Sequence, residues 1–147
     1  MMLLTILVPF LLAFWKVGLL GGVLFVAFSY MLYFPVELVS GMVGVGIAQL
    51  FERKPRAGDT PETYYLRQHS ARMGLAKVVS GAVGLALGLW LLERFNYVSL
   101  RPALLWALVF YSIASYVDMW FHKMYRRPWW LGAKILVYLL VYGAWTS

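Results

Sequence analysis

Residues 52–74, ERKPRAGDTPETYYLRQHSARMG, form a polar island in an otherwise apolar chain. The island holds eight charged residues, whereas the whole protein has only 13 Lys or Arg and 6 Asp or Glu. Before it lie 51 residues whose only charges are Lys16 and Glu37, and after it come three apolar segments. The island therefore separates two parts of the chain that are both poorly suited to water.

The composition indicates a membrane protein. Of the 147 residues 63% are hydrophobic and 13% are charged, and the mean hydropathy is +0.74, whereas a soluble domain is about half apolar and about a quarter charged. A soluble domain of this size could not hide so much apolar surface. We predict a single domain over residues 1–147, an all-α polytopic membrane helix bundle of four to five transmembrane helices.

Three segments after the island are predicted to span the membrane: Leu75–Leu92, Pro102–Phe121 and Trp129–Trp145. Each contains one charge, which is Lys77, Asp118 or Lys134. Each is close to the roughly 20 residues that cross the hydrocarbon as a helix, and in lipid the backbone must satisfy its own hydrogen bonds.

Residues 1–51 are too long for one span, because a single helix of that length would reach roughly 75 Å. One possible turn is VGLLGG, residues 17–22, which would give a first helix of ordinary length and a long second helix kinked at Pro35. The other is YFPVE, residues 33–37, because proline disfavours helix at the residue before it. We favour a turn at Gly21–Gly22.

Lys and Arg in short loops mark the cytoplasmic side of a membrane protein. The island has five Lys or Arg against three acidic residues, and the loop 122–128, HKMYRRP, has three and no acid. Two spans separate these loops, so both must lie on one side. We expect that side to be cytoplasmic, with the C-terminus outside, in a membrane of the bacterial cytoplasmic type.

Within the island, DTPE at residues 59–62 is typical of a helix start. Asp59 or Thr60 can cap, Pro61 suits the first helical position, and Glu62 favours the positive helix end. We expect a helix of about three turns that runs on, continuous or kinked near Gly74, into the next span.

Small residues at every fourth position predict close helix packing. They form two rows, Ser40, Gly44, Ala48 and Ala76, Ser80, Gly84, Gly88. Packing within the chain is the simpler interpretation, and a homo-oligomer interface is the alternative.

Two charges lie in spans joined by a short loop. Asp118 and Lys134 are each eight residues from Arg126, so an antiparallel hairpin would place them at similar depth. We predict an Asp118–Lys134 ion pair, because a charge inside a span favours a partner. The alternative is that each side chain reaches the cytoplasmic surface separately.

Glu37 is the candidate for transport. In a long second helix this carboxylate would lie near mid-membrane beside Pro35, where an acid is a candidate proton or cation site. If Pro35 marks the turn, Glu37 is an interfacial acid next to the aromatic residues Tyr30, Tyr33 and Phe34.

Residues at the basic end are predicted to contact lipid headgroups: Arg67, Arg72, Arg126, Arg127, Trp129 and Trp130. His69 and His122 are the only histidines in the chain. Asp118 and His122 have a metal-compatible spacing of four residues, but no further ligand supports a metal site. We interpret His122 as an interfacial residue.

For function the sequence leaves three classes open. The first is a non-enzymatic accessory or scaffold subunit of a membrane assembly, since no catalytic set is evident. The second is a small oligomeric transporter or channel that uses Glu37, and the third is a lipid-headgroup enzyme built on Asp118, His122 and nearby arginines. We expect no cofactor and no nucleic-acid partner. Membrane lipids, a second copy or another membrane protein are the expected partners.

Overall fold

Helices make up nearly all of the described chain. The computed structural model describes residues 2–50, 57–121 and 129–147. These hold α1 (Met2–Leu50), α2 (Pro61–Arg94), a short 3₁₀ turn (Val98–Leu100), α3 (Arg101–Phe121) and α4 (Trp129–Thr146), with no strand among them. The fold is therefore an all-α bundle, and α2, α3 and α4 contain the three segments predicted as spans.

Three stretches of the described residues are long and apolar enough to cross a membrane: Leu3–Ser40, Gly74–Arg94 and Val98–Asp118. α4 is not in that set, although the predicted segment Trp129–Trp145 is helical throughout. Its 18 residues reach about 27 Å at 1.5 Å per residue. The three apolar stretches indicate that the chain is a membrane-embedded protein.

α1 is broken at Gly18, where φ is 71° and ψ is −170°. Only glycine adopts this combination without strain, because a Cβ atom would clash with the backbone. The break lies within VGLLGG, three residues before the predicted Gly21–Gly22. It divides α1 into a first arm (residues 2–17) and a long arm (residues 19–50).

The two arms lie side by side in opposite directions. The hydroxyl of Tyr30 donates to Thr5 Oγ1 at 2.5 Å, across 25 residues of sequence. Nearer the turn, Gly22 faces Phe10 so closely that an added Cβ would lie 2.9 Å from its ring. Pro35 is inside the long arm, where helix continues on both sides, so the chain reverses at Gly18 and not at Pro35.

α2 begins where the sequence predicts. Thr60 Oγ1 accepts from the backbone N–H of Thr63 at 3.2 Å, and the N–H of Thr60 donates to Thr63 Oγ1 at 2.9 Å. Pro61 occupies the first turn. The helix is continuous through Gly74 to Arg94, so the predicted short helix and the next span are one element.

The long arm packs against α2 through glycines. A Cβ on Gly84 would lie 2.9 Å from Val36, and one on Gly88 would lie 2.6 Å from Leu32 and 2.7 Å from Leu104 of α3. Three helices thus meet around Gly88, and the missing side chain lets them approach closely.

A polar contact joins α2, α3 and α4 near the C-terminus of the chain. Glu93 Oε1 accepts from the guanidinium of Arg101 and, at 2.8 Å, from Trp145 Nε1. At the other end of α4, Trp129 and Trp130 pack on Gly74. α2 and α4 therefore run side by side in the same direction.

Candidate functional site

Charged side chains from three helices meet inside the bundle: Glu37 of the long arm, Lys77 of α2 and Lys134 of α4. The ammonium of Lys134 contacts Glu37 Oε1, and Lys77 Nζ lies 3.2 Å from Glu37 Oε2. The exposed fractions of the side chains are 0% for Lys134, 5% for Lys77 and 16% for Glu37. We call these three residues the charge cluster.

Aromatic rings surround the two ammonium groups. Lys134 Nζ lies 5.0 Å from the ring centroid of Tyr33 and 5.9 Å from that of Tyr138. Lys77 Nζ lies 4.8 Å from the centroid of Trp130. The negative faces of such rings attract cations. With all three members ionised the charge cluster carries one net positive charge, and these rings partly balance it.

Helical spacing brings the rings to the charges. Tyr33 precedes Glu37 by four residues, and Trp130 and Tyr138 lie four residues on either side of Lys134. Residues four apart lie on one helix face. The long arm and α4 therefore each present their charge and aromatic side chains together, and Trp130 of α4 also covers Lys77 of α2.

A glycine makes the room that Lys134 occupies. A Cβ built on Gly81 would lie 2.7 Å from Lys134 Cε and 3.0 Å from the hydroxyl oxygen of Tyr138. Any larger residue at this position would push the lysine out of place. The sequence pattern of small residues every fourth place did not include Gly81.

The predicted Asp118–Lys134 ion pair is corrected by these contacts. Lys134 is fully buried and its ammonium points to Glu37, whereas Asp118 is exposed near the end of α3. Adjacent helices in a hairpin need not turn their charges toward each other, and here the buried lysine pairs with the more buried of the two carboxylates.

The sequence leaves open whether Glu37 is buried or interfacial, and in the structure its side chain is largely buried. Both of its carboxylate oxygens face an ammonium group. The backbone carbonyl of Glu37 also accepts a hydrogen bond from Ser40 Oγ at 2.8 Å. Lys77 was missing from the predicted site, although it is the single charge of its apolar segment.

The prediction for Trp130 is also corrected. Predicted as a lipid-headgroup contact, its side chain is 1% exposed and packs edge-on against Tyr116, with ring centroids 5.9 Å apart. Its neighbour Trp129 is exposed. The remaining predictions at this end fall outside the described part of the chain: His122, Arg126 and Arg127 entirely, and the side chains of His69, Arg67 and Arg72.

The predicted small-residue rows divide into two groups. Gly84 and Gly88 pack against other helices of the same chain. Ser40, Ala76 and Ser80 instead line an open groove. The surroundings of Gly44 and Ala48 lie outside the described residues.

The groove runs along the seam between the long arm and α2 and has a volume of 520 Å³. Its lining contains no charged side chain, and its two serine hydroxyls both bond to backbone carbonyls of their own helices. We call this surface the seam groove; it is lined by Pro35, Val36, Val39, Ser40, Val43, Leu75, Ala76, Val79, Ser80 and Val83.

The contacts seen in the charge cluster are those of charge pairing. Within residues 2–50, 57–121 and 129–147 no group of three His, Cys, Asp or Glu side chains could hold a metal ion. In the charge cluster both lysines are buried and both ammonium groups face the Glu37 carboxylate. Comparison of the chain with protein-family models, with curated proteins and with solved structures finds no match.

Proposed function

We propose that this protein is a non-enzymatic accessory or scaffold subunit of a membrane assembly. The observation that carries the proposal is that the three charged groups of the charge cluster are paired with one another. Its one carboxylate faces two ammonium groups, and the groove beside it is apolar. Both lysines are 5% exposed or less, and each oxygen of Glu37 already faces an ammonium group.

A structural role suits the energetics of charges in lipid. A single Lys or Asp at the centre of a membrane helix costs about 2.5–3.5 kcal/mol on insertion scales. Contact among Glu37, Lys77 and Lys134 offsets part of that cost in one helix arrangement only. We propose that the charge cluster selects this arrangement of the long arm, α2 and α4, as buried polar groups do in other bundles. A subunit that holds other proteins in position benefits from such a fixed frame.

We further propose that the protein lies in a bacterial cytoplasmic membrane. The polar island (residues 52–74, with the start of α2) and the loop 122–128 would face the cytoplasm, and the C-terminus would lie outside. Support comes from the excess of Lys and Arg in both segments.

Purification from the native membrane in mild detergent tests the proposed function. We expect a second polypeptide to remain with this chain at a fixed ratio through size-exclusion chromatography. Glu37→Gln should lower that ratio, because it leaves two buried ammonium groups and disturbs the helix arrangement, whereas Asp118→Asn should preserve it. A chain that purifies with no other polypeptide would contradict the proposal.

A small oligomeric transporter is the second candidate. One observation favours it: Glu37 keeps 16% exposure while the lysines keep 5% or less, so the carboxylate is the member that a proton or cation would reach first. Proteoliposomes that contain the purified chain should then show proton or cation flux that Glu37→Gln abolishes. Flux that is absent, or equal in both proteins, removes this candidate.

A further inference from the structure

We infer that a second apolar pocket, at the Gly18 end of the bundle, binds an acyl chain of an anionic phospholipid whose phosphate pairs with Lys16 and Arg94. The pocket is separate from the charge cluster, because on α2 Arg94 is 17 residues from Lys77, which is about 25 Å at 1.5 Å per residue. The inference therefore does not depend on the proposed function. The shape of the pocket, its depth and the charges beside it support the inference.

The shape suits an acyl chain. The pocket is lined by residues of the long arm, of α2 and of the loop after α2, and its volume is 230 Å³. An apolar cavity of about 150 Å³ is enough to bind benzene, so part of an acyl chain fits. Along the long arm the pocket extends from Gly21 to Phe28, which is about 10 Å. We call it the end pocket; its buried floor contains Phe25, Leu92 and Leu100, and its exposed rim contains Leu24, Phe95 and Tyr97.

The end pocket lies at the level where the apolar stretches end. The chain reverses at Gly18, one membrane-spanning stretch ends at Arg94 and the next begins at Val98. Tyr97, between these ends, is about half exposed, and exposed tyrosines are typical of the headgroup level. An acyl chain starts at that level and extends inward, and the end pocket likewise extends inward from Tyr97 to Phe28.

The described side chains at this end are mostly cationic. Lys16, Arg94 and Arg101 are opposed by one acid, Glu93, which already accepts hydrogen bonds from Arg101 and from Trp145. Lys16 and Arg94 are exposed. Among the residues that the structure describes, neither pairs with an acidic side chain. Two cations at the headgroup level are therefore available to a ligand.

These two cations flank the end pocket. Lys16 precedes Val17, and Arg94 lies between Leu92 and Phe95, all of which line the pocket. Lys and Arg near a membrane surface attract anionic lipids, and phosphate oxygens accept strong hydrogen bonds from them. A zwitterionic phospholipid carries its own cation beside the phosphate, so the local excess of positive charge favours an anionic one. An apolar helix in the same place would leave both cations unmatched.

Photolabelling in vesicles tests the inference. The purified full-length chain would be reconstituted in phosphatidylcholine with a trace of phosphatidylglycerol, or of phosphatidylcholine, that carries a diazirine near the middle of one acyl chain. Mass spectrometry would locate the labelled residues. We expect phosphatidylglycerol to label Leu24 in the end pocket about tenfold more than phosphatidylcholine does. Both lipids should label Leu140 of α4 equally.

Leu140 is a matched control position. Leu24 and Leu140 are 61% and 63% exposed. Leu24 lies six residues from Gly18, and Leu140 lies six residues from Thr146 at the same end of the bundle. The two leucines therefore sample acyl chains at similar depth, and only Leu24 lines the end pocket.

Two sets of variants separate charge from shape. Lys16→Gln and Arg94→Gln should each lower the preference for phosphatidylglycerol about fivefold. Leu24→Trp adds a large ring at the exposed rim and should lower labelling of Leu91 by both lipids, whereas Leu140→Trp should leave it unchanged.

Several results would overturn the inference. These are equal labelling of the end pocket by the two lipids, a preference that both Gln variants retain, and labelling of Leu91 that Leu24→Trp does not lower. An end pocket that neither lipid labels would also overturn it, because a second copy of the chain would then cover this surface.

Discussion

The ammonium of Lys134 on α4 touches the carboxylate of Glu37 on the long arm, although 97 residues separate them. Lys77 of α2 approaches the other oxygen of the same carboxylate. One acidic residue therefore links three helices, and its removal affects all of them.

Glu37→Gln should destabilise the protein by about 3–5 kcal/mol, because it leaves buried ammonium groups without their counter-charge. Asp118→Asn is the matched control and should cost about 1 kcal/mol or less, since Asp118 is exposed. Unfolding by denaturing detergent in mixed micelles measures both. Similar losses in the two variants would show that Glu37 has no special structural role.

Gly81→Val should cost about 1–3 kcal/mol, because the added side chain overlaps Lys134 and Tyr138. Gly143→Val serves as the control, since a Cβ at Gly143 meets nothing within 4 Å. The same unfolding measurement applies. If Gly81→Val were no worse than Gly143→Val, Lys134 would have room to spare, contrary to the structure.

Gly18→Ala should cost about 1–3 kcal/mol, because alanine is strained at a φ of 71° and ψ of −170°. Gly132→Ala, inside α4 with nothing within 4 Å, should be neutral or slightly stabilising since alanine favours helix. Thermal unfolding in detergent compares the two. Equal effects would indicate that the chain does not reverse at Gly18.

The proposed orientation is testable because the chain has no cysteine. Cysteines introduced singly at Arg56 and Arg126 should react with a membrane-impermeant maleimide from the same side of sealed vesicles. A cysteine at Tyr97, in the loop between α2 and α3, should react from the other side. Reaction of positions 56 and 126 from opposite sides would refute the orientation.

Much of the fold follows from local signals in the sequence. The apolar segments predict the helices, and Thr60 with Pro61 predicts the start of α2. The VGLLGG stretch predicts the reversal, which the structure places at Gly18. Each signal depends on neighbours within a turn or two, and such information is present in the sequence.

The candidate site was predicted less well, because partner choice depends on how distant helices rotate. The sequence predicts an ion pair between Lys134 and Asp118 across a short loop, whereas in the structure Lys134 pairs with Glu37. Part of a signal was present: Glu37, Lys77 and Lys134 are each an isolated charge in an apolar stretch of the chain, but so is Asp118. Three isolated charges of both signs in lipid favour mutual contact, but the rotation that permits it is a property of the packed bundle.

We propose that Glu37 and Lys134 stabilise the bundle through their contact. A double-mutant cycle with Glu37→Gln, Lys134→Met and the combined variant measures this directly from unfolding free energies. We predict that the combined variant loses less stability than the two single variants added together, by about 1–3 kcal/mol. Additivity within about 0.5 kcal/mol would contradict the claim, because two residues that do not interact contribute independently.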